Sequence, residues 1–267
     1  LFHALYASHG DTPRVVIACS DVEESFHATV DAFNIAEEYQ IPVIVLTDQS
    51  IAQRRQTVDE AALEHEVRDR RLATTDELND YLRYRKLPDG VSPMTIPGME
   101  NGIFQTNGLE HDEAGRPSAS FQVHEEMNAK RYRKLDSIAA QYPLFDRFGA
   151  TRAEIGVICW GSSVGVVREA LADLSVEEQA RIGVFAPRML MPLPRRVLQE
   201  FIDSCDSVLV PELSYSGQFH HYLRSQVDLP RNATNVYSRS GGKALSATEI
   251  LAALRPLLTA NRQEVSA

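Results

Sequence analysis

Two apolar runs joined by one amphipathic stretch open this chain, and such a unit cannot close a core by itself. Val15-Val16-Ile17-Ala18 follows Asp11-Thr12-Pro13 and reads as a buried strand; Val43-Ile44-Val45-Leu46 reads as a second. The residues between them follow a helical period. Asp21, with Glu24 three residues on, forms a capping-box pattern in which Asp stands for Ser or Thr. Phe26, Val30, Phe33 and Ala36 recur at helical spacing and are expected to pack on the sheet as one stripe. Pro42 closes the helix, because the residue before proline is pushed out of the α region. A lone strand pair is marginal in water. A further segment, on this or another polypeptide, is therefore expected to complete the sheet, with Leu1 lying inside a fold. Asp48 stands just past the second run, at the edge where α/β sheets place ligands. It is the first candidate site residue, although many such residues merely cap the next helix. His9, before Gly10 and Asp11, is a second candidate, its plain reading being a helix-end histidine.

The remaining chain divides into two further segments. After residues 1–58, a connector over 59–151 is expected to wrap neighbouring surfaces. Residues 59–86 are rich in Glu, Arg and Asp and are expected to be helical and solvent-facing. Pro88-Asp89-Gly90, Pro97-Gly98 and Asn107-Gly108 carry turn chemistry. Residues 124–142 return to a helical pattern, with Met127, Leu135, Ile138 and Tyr142 toward a core. From 152 to 267, strand-like runs at 155–159, 183–186, 207–210 and 235–238 alternate with helical stretches. Pro194 suits the first turn of one of these helices, and Ser246 with Glu249 opens the last at capping-box spacing. That alternation implies an α/β domain with a mostly parallel sheet covered on both faces.

Charge and cysteine content narrow the function. The 267 residues carry a net charge of −10, which argues against a nucleic-acid partner. No apolar stretch reaches the roughly 18 residues that a membrane span requires. Cys19, Cys159 and Cys205 are few, odd in number and far apart, which points to a reducing compartment, the cytoplasm, and away from an iron–sulfur cluster held by this chain alone.

Other motifs have plain readings. Trp160-Gly161-Ser162-Ser163-Val164-Gly165 resembles a phosphate-binding turn but matches neither GxGxxG nor a P-loop, so a strand–helix turn is expected. His220 and His221 are adjacent and diverge by about 100° on a helix, so they form no i, i+4 metal pair. His111, between Glu110 and Asp112, is expected in a surface turn. Lys130-Arg131-Tyr132-Arg133-Lys134 is expected to spread over solvated faces, the sharper alternative being a contact to a subunit or an anionic ligand.

Residues 5–18, 21–24, 32–37 and 39–48 together resemble the α subunit of 2-oxoacid:ferredoxin oxidoreductases, most strongly the 2-oxoglutarate type. The similarity continues through Asp89-Gly90-Val91-Ser92-Pro93, Ile96-Pro97-Gly98, residues 108–113, Cys159-Trp160-Gly161-Ser162-Ser163, Pro211-Glu212, Ser216-Gly217-Gln218 and Gly241-Gly242-Lys243. It runs in order along nearly the whole chain. The resemblance implies the C-terminal half of a thiamine-enzyme pyrimidine-binding (Pyr) domain over 1–58. Over 152–267 it implies a transketolase C-terminal-like domain. The implied reaction is coenzyme A-dependent oxidative decarboxylation of a 2-oxoacid. Thiamine diphosphate would supply the carbanion stabilisation, and iron–sulfur chemistry would pass the electrons to ferredoxin.

The resemblance also implies what this chain lacks. The substrate-recognising Tyr-Pro-Ile-Thr-Pro motif and the glutamate that activates the aminopyrimidine belong to an N-terminal α region before Leu1. The Gly-Asp-Gly motif for diphosphate and Mg belongs to a β subunit. No family catalytic residue can therefore be carried onto a position here. By the related transketolase layout, Thr47-Asp48 would border the substrate entrance. The expectation is a chain active only within a heteromeric complex; the rival is a noncatalytic assembly or regulatory module that keeps the transketolase-type domain.

Overall fold

The computed structural model describes residues 1–264 as two sheets sharing one core. In chain order the elements are α1 (Phe2–Tyr6), β1 (Val15–Ala18), α2 (Val22–Tyr39), β2 (Val43–Leu46), α3 (Gln49–Ala52), α4 (Thr75–Leu78) and α5 (Phe121–Gln141). They continue as β3 (Phe145–Gly149), β4 (Ile155–Ile158), α6 (Ser163–Ala172), α7 (Val176–Gln179), β5 (Ile182–Pro187) and β6 (Met189–Met191). The chain finishes with α8 (Arg195–Asp203), β7 (Ser207–Glu212), α9 (Gln218–Gln226), β8 (Thr234–Ser238) and α10 (Ala247–Glu264). Among the described residues no helix is long and apolar enough to cross a membrane.

The larger sheet has the order β3-β5-β4-β7-β8 and is parallel except for β3, which meets β5 antiparallel. The α/β, mostly parallel architecture is as the alternating pattern requires. Helices α6 and α10 cover one face through Val164, Val167, Ile250 and Leu254. Helices α8 and α9 cover the other through Leu198, Phe201, Phe219 and Tyr222. Ser246 and Glu249 form the expected box: the Ser246 Oγ and N–H donate to Glu249 Oε2 at 2.9 Å, and the Glu249 N–H donates back at 3.4 Å.

The smaller sheet has the order β2-β1-β6. Strand β1 is wholly buried because its two faces serve two cores. Val16 and Ala18 join the core under α8 and α9, whereas Val15 and Ile17 pack under α2. Strand β6, three residues that alternation alone does not reveal, adds antiparallel to β1. Strand β2 pairs only with β1 among the described residues, and Val45 is 36% exposed, so this run is an edge rather than the buried strand expected. Strand β3, which falls inside the expected connector, is one edge of the larger sheet, β8 being the other.

Helix α2 starts as anticipated, Asp21 accepting from the Glu24 N–H at 2.9 Å. Its buried stripe differs from the expected one. Ala28, Ala32, Ile35 and Tyr39 face the sheet, while Phe26 is 39% and Phe33 69% exposed. Small alanines let the helix lie close to β1, and the bulkier apolar residues point outward. Residues 59–86 are also not the helix expected; only a single 3-10 turn at Glu60–Leu63 and α4 are regular. Their charges are spent crosswise on α2 instead of along a helix. Asn34 donates to the Glu66 carbonyl at 2.7 Å and accepts from the Arg68 N–H at 2.8 Å, and Arg70 pairs with Glu37.

Helix α5 packs Met127, Ile138 and, beyond its end, Tyr142 inward as expected. The basic run within it is not a solvated surface. Lys130 and Lys134 are 6% and 7% exposed. Gly90, at φ +77°, makes room for them, since a Cβ there would strike the Lys130 carbonyl oxygen and crowd the Lys134 stem.

Candidate functional site

The loops after β1, β2, β4, β7 and β8 meet at one end of the molecule and line a cleft of about 1060 Å³. Its position follows from topology. From β4 the chain adds β5 on one side and β7 on the other, so the strand order reverses at β4. At such a switch point the loops at the carboxyl ends diverge and leave a crevice. Trp160–Ser163 and Leu213–Ser216 form its two lips, and Thr47-Asp48 and Ser240-Gly241-Gly242 close it.

Asp48 does cap the following helix: Oδ1 accepts from the Ile51 N–H at 3.0 Å and from Ser50 Oγ at 2.7 Å. It does more than that, because Oδ2 accepts from Ser162 Oγ across the two sheets. Partial burial opposes the charged form, but these hydrogen bonds outweigh it and hold the carboxyl below its ordinary range. Asp48 is thus an ionised, oriented group on the cleft wall. His9 lies in an exposed bend and is not among the residues that line the cleft.

Glu212 occupies the floor at 4% exposure. Its two carboxylate oxygens accept from the backbone N–H groups of Phe219 and His220 at 2.9 and 3.0 Å, satisfying the start of α9. Gly217 turns the chain into that helix at φ +64°, 3.5 Å from Glu212 Oε1 at the place a Cβ would take. Sequence reasoning marked Pro211-Glu212 without assigning this role. The signal was a carboxylate a few residues before a Gly-led helix that lacks its own Ser, Thr, Asp or Asn cap. Trp160 rests on Phe219 at 5.8 Å, so one lip of the cleft is pinned by the helix that Glu212 holds.

The lining includes Asp48 and Glu212 but no Lys, Arg or His. That electrostatic character suits hydroxyl, amide or cationic groups and does not suit a diphosphate. Nor do the described residues gather three or more His, Cys, Asp or Glu side chains able to hold a metal ion. Cys19, Cys159 and Cys205 are free thiols, and burial raises the pKa of all three, of Cys159 to about 12. A cluster needs thiolates.

The other motifs take structural positions. His111 Nδ1 lies 2.8 Å from the Leu109 carbonyl and its ring packs on Tyr84 at 4.0 Å. Glu110 is pushed down to about 2, chiefly by Arg131, which it meets at 2.6 Å, and it also meets His124; these contacts staple the 107–115 loop to α5. The rings of His220 and His221 are 5.5 Å apart, and burial lowers the pKa of His220.

Residues 3–130 match the family described as pyruvate flavodoxin/ferredoxin oxidoreductase, thiamine diphosphate-binding, and residues 153–250 match pyruvate:ferredoxin oxidoreductase core domain II. An α subunit of a 2-oxoacid:ferredoxin oxidoreductase from Aeropyrum pernix is 29% identical over 99% of this chain. Over nearly its whole length the chain is similar to α subunits of 2-oxoacid:ferredoxin oxidoreductases. A 2-oxoglutarate synthase subunit KorA from Methanothermobacter marburgensis is 28% identical over 84% of the chain. Among solved structures, a 2-oxoglutarate:ferredoxin oxidoreductase from Magnetococcus marinus, described with 2-oxoglutarate, coenzyme A and succinyl-CoA bound, superposes with a TM-score of 0.87 at 33% identity. That match covers 97% of this chain and 44% of the other. The chain spans 41% of the Aeropyrum relative and 59% of the Methanothermobacter one. These similarities agree with the sequence resemblance, and some of the motifs that carried it, at Thr47-Asp48, Trp160–Ser163, Glu212, Ser216 and Gly241-Gly242, line the cleft.

Proposed function

We propose that this chain forms part of the α subunit of a thiamine diphosphate-dependent 2-oxoacid:ferredoxin oxidoreductase. The reaction is coenzyme A-dependent oxidative decarboxylation of 2-oxoglutarate or a related 2-oxoacid, with ferredoxin accepting the electrons. The observation that carries this reading is the near-complete superposition on an oxidoreductase described with 2-oxoglutarate and coenzyme A bound.

The cleft supports a wall-forming role within that assembly. Its lining carries no Lys, Arg or His, which supports the reading that thiamine diphosphate, Mg and the iron–sulfur cluster are held mainly by residues outside this chain. A β subunit bearing the diphosphate and Mg motif and an N-terminal α region complete the pocket, with ferredoxin and coenzyme A as further partners. The open side of β2 is covered within that assembly, consistent with relatives longer than this chain. Asp48 is the site-facing residue, fixed by Ser162, and no role is assigned to His9. Residues 1–58 are the Pyr-type part, 59–151 the connector and 152–267 the transketolase C-terminal-like part. The free thiols fit a cytoplasmic location.

The test is coenzyme A-dependent reduction of a viologen dye by the reconstituted complex with 2-oxoglutarate. Dye reduction that requires both substrates is expected. A complex that holds thiamine diphosphate and intact clusters yet stays inactive toward 2-oxoacids would leave the assembly-module reading in its place. Calorimetry on the isolated chain should detect no tight thiamine diphosphate binding; tight binding would show that this chain carries its own diphosphate site.

A further inference from the structure

A second cleft, of about 610 Å³, opens between the start of α2, the stretch after α3, and the first turns of α6. Its lining carries four carboxylates (Asp21, Glu23, Glu24, Asp146) and four arginines (Arg54, Arg55, Arg168, Arg188), and they pair unevenly. Arg188 Nε lies 2.9 Å from Glu24 and 3.8 Å from Asp146, so one arginine serves both acids. Asp21 is occupied as the α2 cap. Of the lining acids, Glu23 is left, facing Arg54, Arg55 and Arg168, none of which forms an ion pair among the described residues. The Arg168 guanidinium lies 3.9 Å above the Phe148 ring, which orients it without neutralising it. Arg54 Nη1 comes within 4.0 Å of where a Cβ on Gly165 would sit, on the opposite wall.

His27 also lines this cleft and is held from behind. Its Nδ1 is 3.0 Å from His65 Nδ1, and His65 Nε2 is 2.9 Å from Asp31 Oδ1. The Asp31 side chain is only 10% exposed. The protons along this chain can be placed by elimination. An ionised carboxylate only accepts, so His65 carries its proton on Nε2. A neutral His65 then accepts at Nδ1, so His27 donates from Nδ1. The ring nitrogen of His27 that remains for a ligand is Nε2, which has no protein hydrogen-bond partner among the described residues.

We propose that this cleft binds a phosphate-type dianion, gripped by Arg54, Arg55 and Arg168 and by His27 donating from Nε2. Guanidinium forks match phosphate oxygens in pairs, and these three form no ion pair among the described residues, Arg188 alone being taken up by Glu24 and Asp146. Toward a phosphate ester dianion, which has no phosphoryl O–H, His27 completes the site only as an imidazolium, giving one proton to His65 and one to the anion, so binding of the ester takes up a proton; the O–H of free hydrogen phosphate can instead donate to Nε2. The groups facing His27 and its ligand are Asp21, Glu23 and Glu24 on α2, His65 behind, Arg54 and Arg55 after α3, Asp146 on β3, Arg168 on α6 and Arg188 between β5 and β6. Glu23 is the one acid among them with no hydrogen bond or ion pair among the described residues.

The experiment is isothermal titration of the chain in its native assembly with inorganic phosphate and, separately, with glycerol 3-phosphate. It is run slightly above neutral pH in two buffers of different ionisation heat. Saturable binding is expected, with net proton uptake for glycerol 3-phosphate. Arg55→Ala and Arg168→Ala, both exposed and therefore harmless to folding, should each weaken binding about tenfold or more, with Arg168→Lys recovering part of the loss. His27→Gln should bind without taking up a proton. Glu23→Gln should bind more tightly. A tighter ester than free phosphate identifies an organic phosphate as the ligand; equal affinities identify the free ion. The proposal is overturned by absence of saturable binding of either probe, by arginine variants that bind like the parent, or by unchanged proton uptake on ester binding in His27→Gln.

Discussion

At the scale of single residues, two lysines expose a cost the fold carries. Burial is the main reason that the pKa of Lys134 falls to about 7 and that of Lys130 to about 8, and the surrounding cations Arg83 and Arg131 add to it. The Lys134 Nζ has one protein hydrogen bond, to the Gln40 carbonyl at 3.1 Å. The sign of the resulting pH dependence follows from proton counting. An unfolded lysine keeps its proton to above pH 10. The folded Lys134 sheds its proton near pH 7, so between these limits the unfolded state binds more protons and stability rises with pH. Lys134→Met should therefore stabilise the protein most at and below about pH 7, by an amount on the order of a few kcal/mol less one hydrogen bond, and the gain should fade toward pH 10. Thermal melts of both proteins across that range check this. A gain independent of pH would show that the lysine is not buried with its charge.

At the scale of elements, α2 separates two apolar faces that periodicity alone confuses. Both Phe26-Val30-Phe33 and Ala28-Ala32-Ile35 recur at helical spacing, and hydropathy favours the former. Backbone proximity selects the latter, since only small side chains allow α2 to settle on β1. Ile35→Ala should cost about 2–5 kcal/mol, whereas Phe33→Ser should change stability by no more than about 0.5 kcal/mol. Denaturant unfolding of the two variants decides between the faces, and the reverse order would restore the stripe expected from sequence. The 59–86 strap teaches a related lesson. Its composition suits a solvated helix, but Asn34, Asp31 and Glu37 on α2 offer its backbone and side chains partners that a free helix would not have.

At the scale of the whole molecule, the two sheets are joined through one core. Leu190 on β6 is fully buried among residues of β1, β4, β5, β7, α8 and α9. The chain is thus expected to unfold in a single transition, and Leu190→Ala should lower that transition as a whole by about 2–5 kcal/mol. Scanning calorimetry that resolved two transitions, with only one moved by the substitution, would show two separable domains.

Much of this was legible before any coordinates. The strand runs, the caps at Asp21 and Ser246, the turn glycines and Asp48 at a strand's end are local signals, each set by a residue's own backbone preference or its neighbours within a few positions. The family motifs were legible as well, because several are contiguous. What tertiary structure decided is which of those motifs meet: Asp48 and Ser162 are 114 positions apart in the chain and touch because two sheets abut. Strand β6, the true face of α2, the burial of Lys130 and Lys134 and the arginine-lined second cleft also arise from long-range packing. Such contacts depend on which surfaces are brought together, and no window of sequence encodes that by itself.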